Sequence, residues 1–442
     1  MRTIIVLASA IASVAIVAAC ASSEDAPSVD VDPPAPTAVP DGGDGDGNGG
    51  SVADVDVPDT RLPDCSPAGW CVTGFPDEDL VFRDIAPFEE VAFAIAESAT
   101  EGIKVLEWTK STSAWKYIDD GTQNATGIGT FAGRIYAPNV DEVYFTVGPS
   151  HVFHGERSGG TWTWTNQALP DSIAGHTDSH GNPTQRANGR PITTLGVWGT
   201  GAGDVFAYYS NTIFHRDPAS GLFAADYVAD DLAAADEHVF FASVHGSGPN
   251  DVWFVGAPER ASYSCPLVVR KSAAGWERVA DGVVSTNFAA PCAQRPETLF
   301  IGGAGKSGWL VDVAPVSTTE YVALHNRVER LSFENVYATR IRVTDDGYSF
   351  EQSLVPVQVA PGSGSNAGFG AAPSTALWRG DGETWFTSWG LVLRGSDDGT
   401  FSVSTLSRSG GPVSAPFYRI RGTSNQNLWA IGARHAYHKT TP

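Results

Sequence analysis

Residues 244–253 read Val244-His245-Gly246-Ser247-Gly248-Pro249-Asn250-Asp251-Val252-Trp253. An apolar residue, a Gly/Pro/Asn run, and then an acid followed by two apolar residues describe a strand, a tight turn and a second strand. The carboxylate falls where turn gives way to strand, and it can accept free backbone N–H groups there. The triplet recurs. Glu90-Val91-Ala92, Glu142-Val143-Tyr144, Asp204-Val205-Phe206, Asp251-Val252-Trp253, Glu320-Tyr321-Val322, Glu383-Thr384-Trp385 and Asn427-Leu428-Trp429 make seven copies, spaced by 52, 62, 47, 69, 63 and 44 residues. Seven residues before the acid stands Ile135, Val197, Val244, Val313 or Ile420 in five of them. An aromatic residue closes six units, at Trp115, Trp164, Phe223, Trp276, Phe350 and Phe401.

Four short strands per unit, repeated seven times, predict an all-β chain folded as a seven-bladed β-propeller of four-stranded antiparallel blades. The pattern resembles the degenerate propeller repeats of bacterial exported proteins, including the kelch and Asp-box groups. Thr344-Asp345-Asp346-Gly347-Tyr348-Ser349-Phe350 and Ser396-Asp397-Asp398-Gly399-Thr400-Phe401 look like shortened Asp boxes. The last unit lacks its outer strand, because the chain stops at Pro442. Gly69-Trp70-Cys71-Val72-Thr73 is similar to the outer-strand piece Gly275-Trp276-Glu277-Arg278-Val279, so residues 69–73 are expected to complete the seventh blade. An open ring would leave an unpaired edge.

Outward from the repeats, the N-terminal part differs in kind. Arg2 precedes an apolar run from Ile4 to Val17, the form of an export signal. Val17-Ala18-Ala19-Cys20 resembles a bacterial lipobox, which implies lipidation of Cys20 and a signal peptide spanning 1–19. Ala21 and Ser22 follow, a pattern that favours the outer membrane or cell surface. Residues 20–64 are rich in Pro, Gly, Ala, Ser and Asp without an aromatic, and read as a disordered acidic tether. Asp44, Asp46 and Asn48 begin a calcium-loop pattern, but Val55 stands where the bidentate Glu belongs. No cofactor is expected. The propeller domain then spans 65–442. With 28 Lys+Arg against 50 Asp+Glu, the net charge of −22 excludes nucleic acid as a partner.

In an up-and-down blade, second-to-third loops and blade-to-blade connections share one face. The long insertions, roughly 168–192, 284–308 and 356–374, are all blade-to-blade connections, and Pro258–Pro266 reads as a long second-to-third loop. Long structureless loops are commonly functional. Four cysteines remain after Cys20, and the export route is oxidising. Of three possible pairings, Cys65–Cys71 would close the ring-closing strand and Cys265–Cys292 would staple two loops of one face. Candidate ligand contacts on that face are His176, Asp178, His180, Arg186 and Arg190, then Arg260 and Tyr263, and Trp309, which lies outside the repeat marks.

Catalytic motifs fail on inspection. Gly302-Gly303-Ala304-Gly305-Lys306-Ser307 has Phe300 where a phosphate loop needs its first Gly, which argues against nucleotide. His176 and His180 are flanked by Gly175 and Gly181, so no helix fixes them as metal ligands. The repeat acids recur too regularly to be an acid–base pair. The expectation is a non-enzymatic module binding protein or glycan, held at the membrane by its lipid. The alternative is a polysaccharide-acting hydrolase or lyase, which convergent Arg, Glu, Tyr and His around the axial channel would favour.

Overall fold

The computed structural model describes residues 65–170, 195–234, 236–260, 263–287, 289–303, 306–329, 332–356, 374–387, 390–397, 399–407, 413 and 415–441. Strands there assemble into seven antiparallel blades, counted here from the axis outward. Blade 1 runs Val81–Pro87, Val91–Ser98, Gly102–Thr109 and Ala114–Tyr117. Blade 2 runs Gly129–Asn139, Glu142–Pro149, His151–Ser158 and Thr161–Ala168. Blade 3 is Leu195–Gly201, Asp204–Tyr209, Thr212–Arg216 and Phe223–Val228. Blade 4 is Glu237–Gly248, Asp251–Arg260, Leu267–Ser272 and Gly275–Ala280. Blade 5 comprises Ser307–Ser317, Glu320–Glu329, Ser332–Thr344 and Gly347–Val355, and blade 6 Leu377–Gly380, Glu383–Thr387, Val392–Ser396 and Phe401–Ser404. Blade 7 takes Phe417–Ser424, Asn427–Gly432 and His435–Lys439 from the end of the chain and Trp70–Val72 from its start. The first strand of every blade packs on the first strands of both neighbours, all the way round. The seven-bladed propeller expected from the repeats is the fold observed.

Closure occurs as the sequence implies. Trp70, Cys71 and Val72 pair antiparallel with Lys439, His438 and Tyr437. Trp70 is fully buried, meets Trp385 of blade 6 edge-on at 6.2 Å, and donates from Nε1 to Ser404 Oγ at 2.8 Å. It therefore fills the place that Trp164 or Trp276 fills in the outer strands of other blades. Both disulfides are present in the expected pairing, Cys65–Cys71 and Cys265–Cys292.

The repeat acid opens the second strand in five blades, and Asn427 does so in blade 7. Blade 1 departs from the sequence reading by one residue. Lys110 N donates to Glu90 O at 2.9 Å, as Arg157 N does to Asp141 O and Val343 N to Thr319 O, each at 2.8 Å. Asp141 and Thr319 precede their repeat acids, so Val91 holds the acid's place and Glu90 lies in the turn.

What makes the acid recur is a partner on the third strand. Directly opposite Tyr144, Phe206, Trp253, Val322, Trp385 and Trp429 stand His154, His215, Arg270, Arg340, Arg394 and His438. Each reaches the residue that opens its second strand. His154 Nε2 lies 3.1 Å from Glu142, His215 Nε2 2.8 Å from Asp204, Arg270 3.2 Å from Asp251 and Arg340 3.1 Å from Glu320. Arg394 pairs with Glu383, and His438 Nε2 sits 2.8 Å from Asn427 Oδ1. The three imidazoles stack flat on their aromatic neighbours, with centroids 4.3, 4.3 and 4.1 Å apart for His154, His215 and His438. Arg270 and Arg394 cover Trp253 and Trp385 at 5.0 and 5.5 Å, contacts worth ~0.5–2 kcal/mol each. In blade 1 the opposite residue is buried Glu107, which instead receives Arg157 of blade 2 at 2.7 Å and Lys116 at 3.0 Å.

Candidate functional site

First-to-second turns are tight on one face, for example between Gly248 and Asp251 or Ser317 and Glu320. The described ends of the long connections, at Ala168, Val284 and Val355, lie on the other. The segment around 258–266 is not the loop that its sequence implies. Because the first strand of blade 4 begins early, at Glu237, residues up to Arg260 keep a ladder partner. The chain then folds back, and Tyr263–Ser264 pairs with Glu259 and Arg260. The 284–308 connection also carries structure, a hairpin of Gly282–Val284 with Cys292–Gln294.

The Cys265–Cys292 bond joins these two pieces. Gly282 is needed beside it, since a Cβ there would stand 2.6 Å from Cys265 Cβ. Just past the hairpin, Arg295 Nε reaches Asp281 at 2.6 Å, and its Nη atoms lie 3.6 Å from Asp231 and 3.8 Å from Glu237. Arg278 pairs with Asp281 and Asp231 and donates to Tyr227 OH at 3.0 Å. Glu237 and Asp281 are buried, and burial raises both carboxyls, with the arginines opposing it. Arg260 pairs with Asp236 at 2.7 Å. Tyr263 borders the disulfide cluster, and Trp309 is half-buried near the start of the first strand of blade 5, at the end toward this face. So Arg260, Tyr263 and the stapled hairpin form one rigid corner. His176, Asp178, His180, Arg186 and Arg190 lie outside the described residues, as do Cys20, Asp44, Asp46 and Asn48.

The axis holds groups that the sequence reading did not single out. In blades 1, 2, 4, 5 and 7 the first strand slips register by a bulge, ending at Asp84, Ile135, Ser243, Asp312 and Arg419. The residue just before each of these, Arg83, Arg134, Ala242, Val311 or Tyr418, is skipped in the ladder, and the bulge re-aims the side chains around it. Asp312 is fully buried and accepts from Ser243 Oγ at 2.6 Å, Leu377 N at 3.0 Å and Val313 N at 3.1 Å. Arg421 crosses from blade 7 to clamp both its oxygens, at 3.0 and 3.3 Å. Arg419, 2% exposed, sits 3.6 Å from Asp84 with Nε lacking a hydrogen-bond partner. Arg134 of blade 2 reaches Ala242 O of blade 4 at 3.2 Å, the same oxygen that Tyr208 OH meets at 3.0 Å.

Burial pushes the Asp84 carboxyl up, against the pull of Arg134 and Arg421. His245 is pushed down to about 4 by burial and then by Arg421, so its ring is neutral at neutral pH. Burial alone would lower Arg421, but Asp312 and Asp84 outweigh it and hold it charged. A signal for this cluster existed. Asp84, Arg134, Ser243, Asp312 and Arg419 each stand directly before an apolar first-strand residue, four of which mark the repeat.

No protein-family model matches the chain, and no curated protein does. Solved structures do. One is YCF48 bound to a D1 peptide, 12% identical with TM-score 0.50, covering 88% of this chain and all of that one. Another is PorZ of Porphyromonas gingivalis, an essential bacterial surface component of the type-IX secretion system, 12% identical with TM-score 0.51, covering 84% of this chain and 47% of that one. At such identity the likeness is one of fold. Among the described residues no helix is long and apolar enough to cross a membrane.

Proposed function

We propose that this chain is an extracytoplasmic propeller that binds a protein or glycan on its long-connection face, tethered to the bacterial envelope through lipidated Cys20. The observation that carries the reading is the asymmetry of the faces. One has tight turns; the other bears the long connections and a corner fixed by the Cys265–Cys292 bond and by the ion pairs of Arg278 and Arg295 with Asp281. Rigid presentation of a binding surface lowers the ordering cost of association. The likeness to YCF48 and PorZ supports the reading, one being held with a peptide and the other a bacterial surface component. The signal at 1–19, the tether at 20–64 and the Val17-Ala18-Ala19-Cys20 sequence support outer-membrane or surface placement. Kinship with the Asp-box repeats draws on the turn before Gly347–Val355, which lies between third and outer strands.

Peptide and glycan arrays probed with the chain are expected to yield a ligand. Its binding should be lost when residues 171–194 are replaced by a short Gly-Ser linker and Arg260 and Tyr263 by Ala. An array without binders, or binding indifferent to those changes, overturns the reading. Radiolabelled fatty acid should enter the chain and not its Cys20→Ser variant. The second reading, a hydrolase or lyase acting on polysaccharide, draws on the charged axis, where Asp84 is raised beside Arg134 and Tyr208 acts on the same carbonyl. Polysaccharide cleavage abolished by Asp84→Asn would favour it.

A further inference from the structure

The axial cluster is unbalanced in charge. Among the described residues, Arg134, Arg419 and Arg421 face Asp84 and Asp312, so with both carboxylates ionised one positive charge is left over, in a chain whose net charge is −22. Asp312 has its oxygens filled by Ser243, two backbone N–H groups and Arg421. Arg134 has no carboxylate within 4 Å among the described residues; its guanidinium and the Tyr208 hydroxyl both point at one carbonyl oxygen, Ala242 O. Arg419 Nη1 donates to Thr375 O at 3.0 Å, while its Nε and Asp84 Oδ1, an ion pair at 3.6 Å, are buried without hydrogen bonds. A buried guanidinium N–H without an acceptor is costly, and a bound oxyanion would satisfy it. The Arg421 side chain remains one-quarter exposed, so water reaches the cluster.

We infer that the axial channel is a binding site for a small monocarboxylate anion, gripped by Arg134 and Arg419 with the Tyr208 hydroxyl beside it. Arg421 spans from blade 7 to Asp312 on blade 5 beside this site. A single surplus positive charge matches a monoanion. A dianionic phosphate or sulfate would leave an unbalanced negative charge beside two carboxylates, where the low local dielectric magnifies it. The site is separate from the long-connection face and does not depend on ligand binding there; it shares Asp84, Arg134 and Tyr208 with the hydrolase reading.

The test uses the full chain and trifluoroacetate, a monocarboxylate followed by fluorine NMR. The expected result is saturable line broadening that acetate reverses and sulfate or phosphate does not, with no broadening of neutral trifluoroethanol. Arg134→Gln should weaken binding at least tenfold, which is about 1.4 kcal/mol. Arg134→Lys, which keeps the charge, should weaken it less, and Arg342→Gln on the outer part of blade 5 should leave it unchanged. Absence of saturable broadening overturns the inference. So does equal competition by sulfate, or binding kept intact by a folded Arg134→Gln chain. Competition by a peptide's terminal carboxylate without competition by acetate also overturns it, in favour of a peptide site.

Discussion

His438 lies flat on the Trp429 ring, its Nε2 toward Asn427 Oδ1, and burial followed by the nearby Lys110 charge pushes it down to about 4. His245 is likewise at about 4, and His325, buried beside Arg327, at about 3. The unfolded chain takes up a proton at each near pH 6.5. The folded chain does so only near pH 3 to 4, so folding opposes protonation in between. Stability therefore falls as pH drops below about 6.5, by ~1.4 kcal/mol per unit for each imidazole. Asp84, Glu237 and Asp281 work the other way. Their folded pKa values are raised, so their contribution favours the fold below the unfolded carboxyl range and fades as pH rises through the folded value. The prediction is that His438→Gln, whose amide can still donate to Asn427, loses less stability between pH 6 and pH 4 than the parent, by ~1.4 kcal/mol per unit. Urea titrations across that range check it; parallel slopes would assign the acid sensitivity elsewhere.

At the scale of elements, the stapled corner of blade 4 depends on the bond between Cys265 and Cys292, 27 residues apart. Replacing both by Ser should cost ~3 kcal/mol of stability, and should make residues 285–295 a site of early proteolysis while blades 1 and 2 stay protected. Limited proteolysis with mass mapping reads both. This element also marks how far the sequence could be read. Second strands were legible because Asp204, Asp251 or Glu383 sits next to a tight turn, and outer strands because Trp164 or Trp276 sits late in its unit. Pro258–Pro266 reads as a loop because its prolines and polar residues lack the strand pattern. Only the early start of the facing strand at Glu237 gives it a partner, and that is a tertiary fact. Glu90 was one place out of register because an acid in the turn mimics an acid at the strand start. The third-strand partners were hidden by chemistry: His154, Arg270 and Arg394 do the same work with different side chains. The axial arginines lay in plain view beside Ile135 and Ile420, but bulges must re-aim the strands before Arg134 reaches Ala242 O and Arg419 reaches Asp84.

For the whole molecule, seven similar sectors must close without a gap, and the closing contact is small. Strand Trp70–Val72 has three residues, and Trp70 supplies the buried side chain that joins blade 7 to blade 6. Removing a buried indole costs ~3–5 kcal/mol. Trp70→Ala is therefore expected to destabilise the ring by that amount, and to expose the strand His435–Lys439 as an edge open to a second chain. Denaturation curves and light scattering at rising concentration measure the two effects; a monomer of parental stability would show that the remaining blades hold the ring alone.

The same contact sets an order of events for a chain that is made amino-end first. Trp70 emerges early and waits, its ring bare to solvent, until Lys439 follows some 370 residues later. Until then every sector can form locally but the circle is unfinished. Its completion thus reports that the chain through Lys439 has been made. A molecule arrested before that point would show its unpaired rim to other chains.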